Sequence, residues 1–145
     1  MADSLPTKDE AIARLDDYQT RLDAARELGP AAYDHLFDGA PPGVALHEID
    51  ARGTVTRVNA SELAMVGRRS EEILGQPVWR FAVMQDASQR AVEKKLSGAG
   101  LRPFVRTLTR ADQSGVTVAL VERYLKDASG RIVGIRTALT PIVGA

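Results

Sequence analysis

HEIDARGTVTRVNAS, residues 47–61, is the stretch that decides the fold. Apolar and polar residues alternate up to Asp50-Ala51-Arg52-Gly53, alternate again from Thr54 to Val58, and stop at Asn59-Ala60-Ser61. A two-residue period belongs to strands. Asp at the first position of a turn can accept from the backbone two residues on, and Gly at the fourth tolerates positive φ. The stretch therefore predicts strands over residues 43–49 and 54–58, joined as a hairpin through Asp50 and Gly53. Asn59 closes the second strand and caps a helix, with Glu62 three residues later in the position of a capping box.

The same punctuation returns twice downstream, as Asp112-Gln113-Ser114-Gly115 and Asp127-Ala128-Ser129-Gly130. Between and around these turns lie runs rich in β-branched residues, which predict strands over 103–110, 116–126 and 131–142. Asp112, Gly115, Asp127 and Gly130 are thus the expected turn residues of a three-stranded meander. Residues 60–82 read as short helical pieces, one starting at Ser70-Glu71-Glu72 and ended by Gly75 and Pro77. A longer helix begins at Asp86 or Ser88 and reaches Leu96, with Ala87, Ala91, Val92 and Leu96 as its inner stripe. Arg90, Glu93, Lys94 and Lys95 then form its solvated face.

Upstream, residues 7–28 predict a helix opened by a Thr7/Glu10 capping box and closed by Gly29-Pro30. Ala11, Leu15, Tyr18, Leu22 and Ala25 recur at spacings of four and three on an otherwise charged cylinder. So narrow a seam suits helix pairing better than a core face. Leu15, Tyr18, Leu22 and Ala25 are therefore expected to dimerise, or to dock on the sheet of a partner subunit. The other reading is an amphipathic helix packed on its own domain. Residues 30–37 predict a second short helix, and 38–43 a loop.

The layout is two strands, several short helices and three strands, with antiparallel local connections throughout. Such a sheet is covered on one face by the central helices, leaving the other for the first helix or a second subunit. Residues 1–29 form the N-terminal segment and 30–145 the main domain.

Composition narrows the function. Nineteen basic residues balance nineteen acidic ones in 145 residues, so no excess positive charge draws the chain to nucleic acid. With no cysteine and two histidines, His35 and His47, thiolate chemistry is absent and no metal centre is expected. The polar opening MADSLPTKDE has no leader-like apolar core, and no apolar run is long enough to span a bilayer. A cytoplasmic protein without a membrane partner is expected. Catalysis needs a nucleophile and base, or paired acids. The acids here fall mostly in helix starts, turns and the first helix, so no catalytic residue is assigned.

Taken together, GVALHEIDARGTVTRVNASELAMVGRRSEEILGQPV and RTLTRADQSGVTVALVERYLKDASGRIVGIRTALTPI resemble the PAS domain, over residues 33–142. The carrying features are the D-x-x-G turn with a strand ending at Asn59, then S-E-E-I-L-G, then two further turns before the last strands. The resemblance implies an α+β fold with a five-stranded antiparallel sheet in the order 2-1-5-4-3. It further implies short helices over one face and an amphipathic N-terminal helix that supports a homodimer. The expected role is a bacterial sensory module, relaying ligand or partner state to an effector absent from this chain. A histidine kinase, a cyclase or a transcription regulator would serve. A ligand-free protein-binding adaptor is the alternative.

The cofactor stays open. A flavin–cysteinyl adduct is excluded because the chain has no thiol, Val78 and Trp79 standing where light-sensing relatives carry the reactive Cys. Haem is not expected, since the central helix DASQRAVEKKL offers no axial histidine. A small organic ligand, non-covalent flavin stacked on Trp79, or no cofactor remain. The candidate pocket lining is Trp79, Phe81, Met84, Val92, Leu108, Leu120 and Ile135, within a wider inner set that includes Val44 and Leu46. Arg106 and Glu122 read either as polar anchors for a carboxylate or amide ligand, or as an exposed cross-strand pair.

Overall fold

A computed structural model describes residues 5–143. Met1–Ser4, the start of the stretch expected to hold no leader, and Gly144–Ala145 lie outside the described residues. The chain opens with α1 (Lys8–Leu28) and α2 (Pro30–Asp38), followed by the hairpin β1 (Ala45–Asp50) and β2 (Val55–Val58). Next come α3 (Ala60–Val66), α4 (Ser70–Ile73), a 3₁₀ turn at Val78–Phe81 and α5 (Gln85–Leu96). β3 (Phe104–Thr109), β4 (Gly115–Lys126) and β5 (Ile132–Pro141) complete the chain. The five strands form one antiparallel sheet in the order β2-β1-β5-β4-β3, as the resemblance implies.

Local chemistry sets these boundaries. Thr7 accepts from the Glu10 amide while the Glu10 carboxylate accepts from the Thr7 amide, which starts α1. Asp50 Oδ1 accepts from the amides of Arg52 and Thr54, at 2.9 and 3.1 Å, and Gly53 takes φ 85°. Asp127 and Gly130 (φ 84°) repeat that arrangement. The middle turn departs from it. Gln113, with φ 74°, holds the left-handed position there, and Gly115 is already paired with Thr109 in β4. Asn and Asp enter that region more readily than Gln, so spacing alone misplaces the bend by two residues.

β5 is buried along nearly its whole length because both faces of the sheet are covered. Gly134 is required inside this strand, since a Cβ would run into the Ile49 carbonyl of β1. On one face, α1 packs Ala11, Leu15, Tyr18 and Leu22, and α2 packs Tyr33 and Phe37, in one cluster with Leu46, Val121 and Ala138 of the sheet. The expected dimer seam is thus filled by the chain's own sheet. Leu15 and Leu22 are fully buried, and Tyr18 and Ala25 nearly so, within a single chain.

That packing corrects the inner set. Val44 and Leu46 face α1, while Ile49 joins the cluster under α3 and α5. An error of one residue in phase transfers a strand residue to the opposite face.

Candidate functional site

Between the sheet and the helices α3–α5 lies a cavity of about 60 Å³. Five of the seven candidate lining residues meet there: Phe81, Val92, Leu108, Leu120 and Ile135. Two do not. Met84, just before α5, is 70% exposed. Trp79 packs at the margin of the apolar cluster that lines the cavity, where its ring lies over Gly53 so closely that a Cβ there would collide with it. Trp79 thus braces the first hairpin and is not among the residues that line the cavity.

The polar residues of the cavity are harder to foresee. β1 turns His47 inward, where its Nδ1 lies 2.7 Å from Glu62 Oε1 of α3, both side chains nearly inaccessible. Glu62 occupies the capping-box position but serves His47 instead, while Asn59 caps α3 alone, accepting from the Glu62 amide at 3.1 Å. Asn59 also accepts from the Leu46 amide and donates to the carbonyls of Phe37 and Val44. One buried amide thereby ties α2, β1 and α3 together. Burial pushes the His47 imidazole down, but Glu62, Glu122 and Glu48 outweigh it and hold its pKa above the ordinary 6.5.

A second pair joins α5 to β4. Lys95 Nζ donates to Glu122 Oε1 at 2.7 Å, and Thr137 of β5 donates to Glu122 Oε2 at 2.8 Å. The Lys95 and Glu122 side chains are only 16% and 8% exposed, so Lys95 does not belong to the solvated face expected for α5. Ser88 and Lys95 join the expected Val92 and Leu96 on the inward side, two polar members that an apolar count could not reveal. Arg106 of β3 also lines the cavity and donates to Ser88 Oγ at 2.6 Å. Arg106 and Glu122 are not cross-strand partners: Arg106 lies opposite Val118, and Glu122 opposite Thr137. They are partly and almost wholly withdrawn from solvent, not an exposed pair.

The opposite face carries its own polar cluster. Arg136, fully buried on β5, donates through Nε to Gln19 Oε1 at 2.6 Å, through Nη1 to the Tyr33 hydroxyl, and through Nη2 to the Gln19 carbonyl and Asp23. Gln19 Nε2 donates back to the carbonyls of Val121 and Arg136. Burial pushes the Tyr33 phenol up to about 12, so it stays protonated and donates to Glu48. Arg123 adds an ion pair to Asp16 of α1 at 2.7 Å.

The sequence profile described as PAS fold matches residues 37–142, and with this sheet order beneath a helix-roofed cavity the assignment is settled. The chain belongs to the PAS fold family. PAS domains are in general sensory modules. No curated protein matches the chain. Among solved structures, the PAS domain of an HTR-like protein from Haloarcula marismortui is 27% identical, with a TM-score of 0.64 over 77% of this chain and 96% of that one. A PAS domain from Colwellia psychrerythraea is 18% identical, with a TM-score of 0.64 over 73% and 90%. The PAS domain of the Cronobacter turicensis quorum-sensing receptor RpfR, in complex with BDSF, is 16% identical, with a TM-score of 0.60 over 72% and 98%. Among the described residues, no helix is long and apolar enough to cross a membrane, and no cluster of three His, Asp or Glu could hold a metal ion.

Proposed function

We propose that this PAS domain is a non-catalytic sensory input module. The cavity reads a small molecule, and the sheet passes its state to α1. The observation that carries this reading is the alignment of two rungs of the sheet. His47, Thr137 and Glu122 lie side by side across β1, β5 and β4 on the cavity face. Directly next to them, Glu48, Arg136 and Arg123 form the neighbouring rung, whose side chains engage α1 and α2. A displacement of Glu122 or Thr137 therefore strains the contacts that hold α1. Two packed arrangements with different ligand affinity are enough to make this a switch.

In this reading residues 1–29 are the output and dimerisation segment and residues 30–145 the sensing core. α1 stays on its own sheet within the homodimer and carries the change outward, and an effector such as a histidine kinase, cyclase or transcription regulator receives it in the cytoplasm. The test is hydrogen exchange on Glu122→Gln. Faster exchange along α1, whose own residues are untouched, supports the relay. Unchanged α1 protection beside altered β4 protection rejects it.

One observation favours the adaptor reading. A volume of about 60 Å³ is well below the ~300 Å³ at which drug-sized ligand pockets begin. Mass spectrometry of the freshly purified protein, native and then denatured, separates the two. A released small molecule supports the sensor, and an empty, unresponsive cavity supports the adaptor.

A further inference from the structure

The charges around the cavity do not balance. His47 is matched by Glu62, and Lys95 by Glu122. Arg106 is the one lining cation that, among the described residues, has no carboxylate within ion-pairing distance; its polar partner is the hydroxyl of Ser88. Lys95 and Arg106 also approach the same aromatic ring, Phe104, at 4.0 and 5.1 Å from its centre. Two cations therefore crowd one ring with a single carboxylate, Glu122, to serve them. Burial pushes the Arg106 guanidinium below its ordinary range, and Glu122 offsets only part of this.

Arg106 has a second geometric property. Besides the cavity, it borders two open surface clefts, one beside Ala82–Ser88 and one beside Lys95 and Phe104. It therefore stands where solvent and the apolar interior meet. A planar guanidinium at such a boundary is suited to a carboxylate, which it can hold through two parallel N–H donors. Behind it the walls are aliphatic and aromatic, including Val92, Leu108 and Ile135.

From this we propose that the cavity takes a small organic monocarboxylate, with its carboxylate on Arg106, flanked by Lys95 and Ser88, and a short apolar tail between α5 and the sheet. The proposal rests on the reading of the cavity as a ligand site. An anion is selected over a cation because both cavity carboxylates are already engaged. A tail much larger than the present volume would have to push α5 from the sheet.

The test uses butanoate, 1-butanol and butylammonium as probes, followed through the amide resonances of β3, β5 and α5. Butanoate is expected to bind at least about ten-fold more tightly than 1-butanol, the scale of one charge-assisted contact. Arg106→Met should remove that preference while leaving weak alcohol binding intact, and Arg106→Lys should restore part of it. Equal binding of butanoate and 1-butanol, or tighter binding of butylammonium, overturns the carboxylate inference while the cavity remains a ligand site. Absence of any perturbation by all three probes at millimolar concentration overturns the ligand-site reading itself, and the inference with it.

Discussion

Arg136 and Arg106 are both strand arginines drawn away from water, one on each face of the same sheet. Every nitrogen of the Arg136 guanidinium has an acceptor, supplied by Gln19, Tyr33 and Asp23 from two helices. Arg106 has one hydroxyl, no carboxylate, and a cavity beside it. The difference separates a buried charge that fastens an element from one kept available. A closed set of partners costs much to open, because removing one member strands the rest. An incompletely matched cation gives up little when deleted and gains a partner when an anion arrives.

The largest expected effect tests the closed side. Arg136→Met leaves the two buried acceptors of Gln19 without their shared donor, at ~1–3 kcal/mol each, and should cost about 3–5 kcal/mol in urea unfolding, while Asp23 keeps its pair with Arg123. Exchange protection along α1 should fall before that of the sheet. A cost below ~1 kcal/mol would mean that the polar contacts under α1 are incidental, and the contrast with Arg106 would disappear. Leu15→Ala, in the seam itself, should cost about 2–5 kcal/mol. If α1 stays on its own sheet, that cost does not depend on protein concentration. Stability that rises with concentration would show that the helix is exchanged between copies.

Gly53→Ala should cost less, about 1–2 kcal/mol for the left-handed backbone plus the displacement of Trp79. The emission of Trp79, the sole tryptophan, should shift to the red. Unchanged emission would remove the brace assigned to that ring. On the open side, Arg106→Met should change stability by less than about 1 kcal/mol. A loss comparable to that of Arg136→Met would make the two arginines equivalent and erase the comparison.

What could be read beforehand follows the same division between faces. Turn chemistry and β-branched runs are local signals, so the hairpins, the Asn59 cap and the antiparallel layout were legible from residues 47–61 and their two echoes. The sheet order followed from the family resemblance. Five cavity residues were legible because large apolar side chains in strands, in α5 and in the turn before it have to be buried somewhere. Lys95, His47 and Glu62 were not, because a charged residue reads as surface until its partner is known, and those partners lie 27 and 15 positions away. The destination of the α1 seam was equally hidden. An a/d spacing records that a narrow stripe is covered, and the same stripe fits a second helix or the chain's own sheet.

The smallest effect is a change of slope. The folded protein holds the proton of His47 more tightly than the unfolded chain does, since its pKa is raised above 6.5. The contribution of that proton to stability is therefore complete below about pH 6.5 and is lost as pH rises through the folded value. The carboxylates responsible are Glu62 of α3, in contact with the ring, Glu122 of β4 on the same cavity face, and, acting through the sheet, Glu48 of β1, whose carboxylate lies on the opposite face against Tyr33. Glu62→Gln removes the nearest of them and leaves burial, which pushes the imidazole down, to dominate. The variant should then gain stability from pH 6 to 8 relative to the wild type, which loses it over the same interval. His35 is unaltered in both proteins, so the difference between their unfolding curves isolates His47. Parallel curves would place His47 outside the reach of Glu62, and the cavity face would lose one of its two closed pairs.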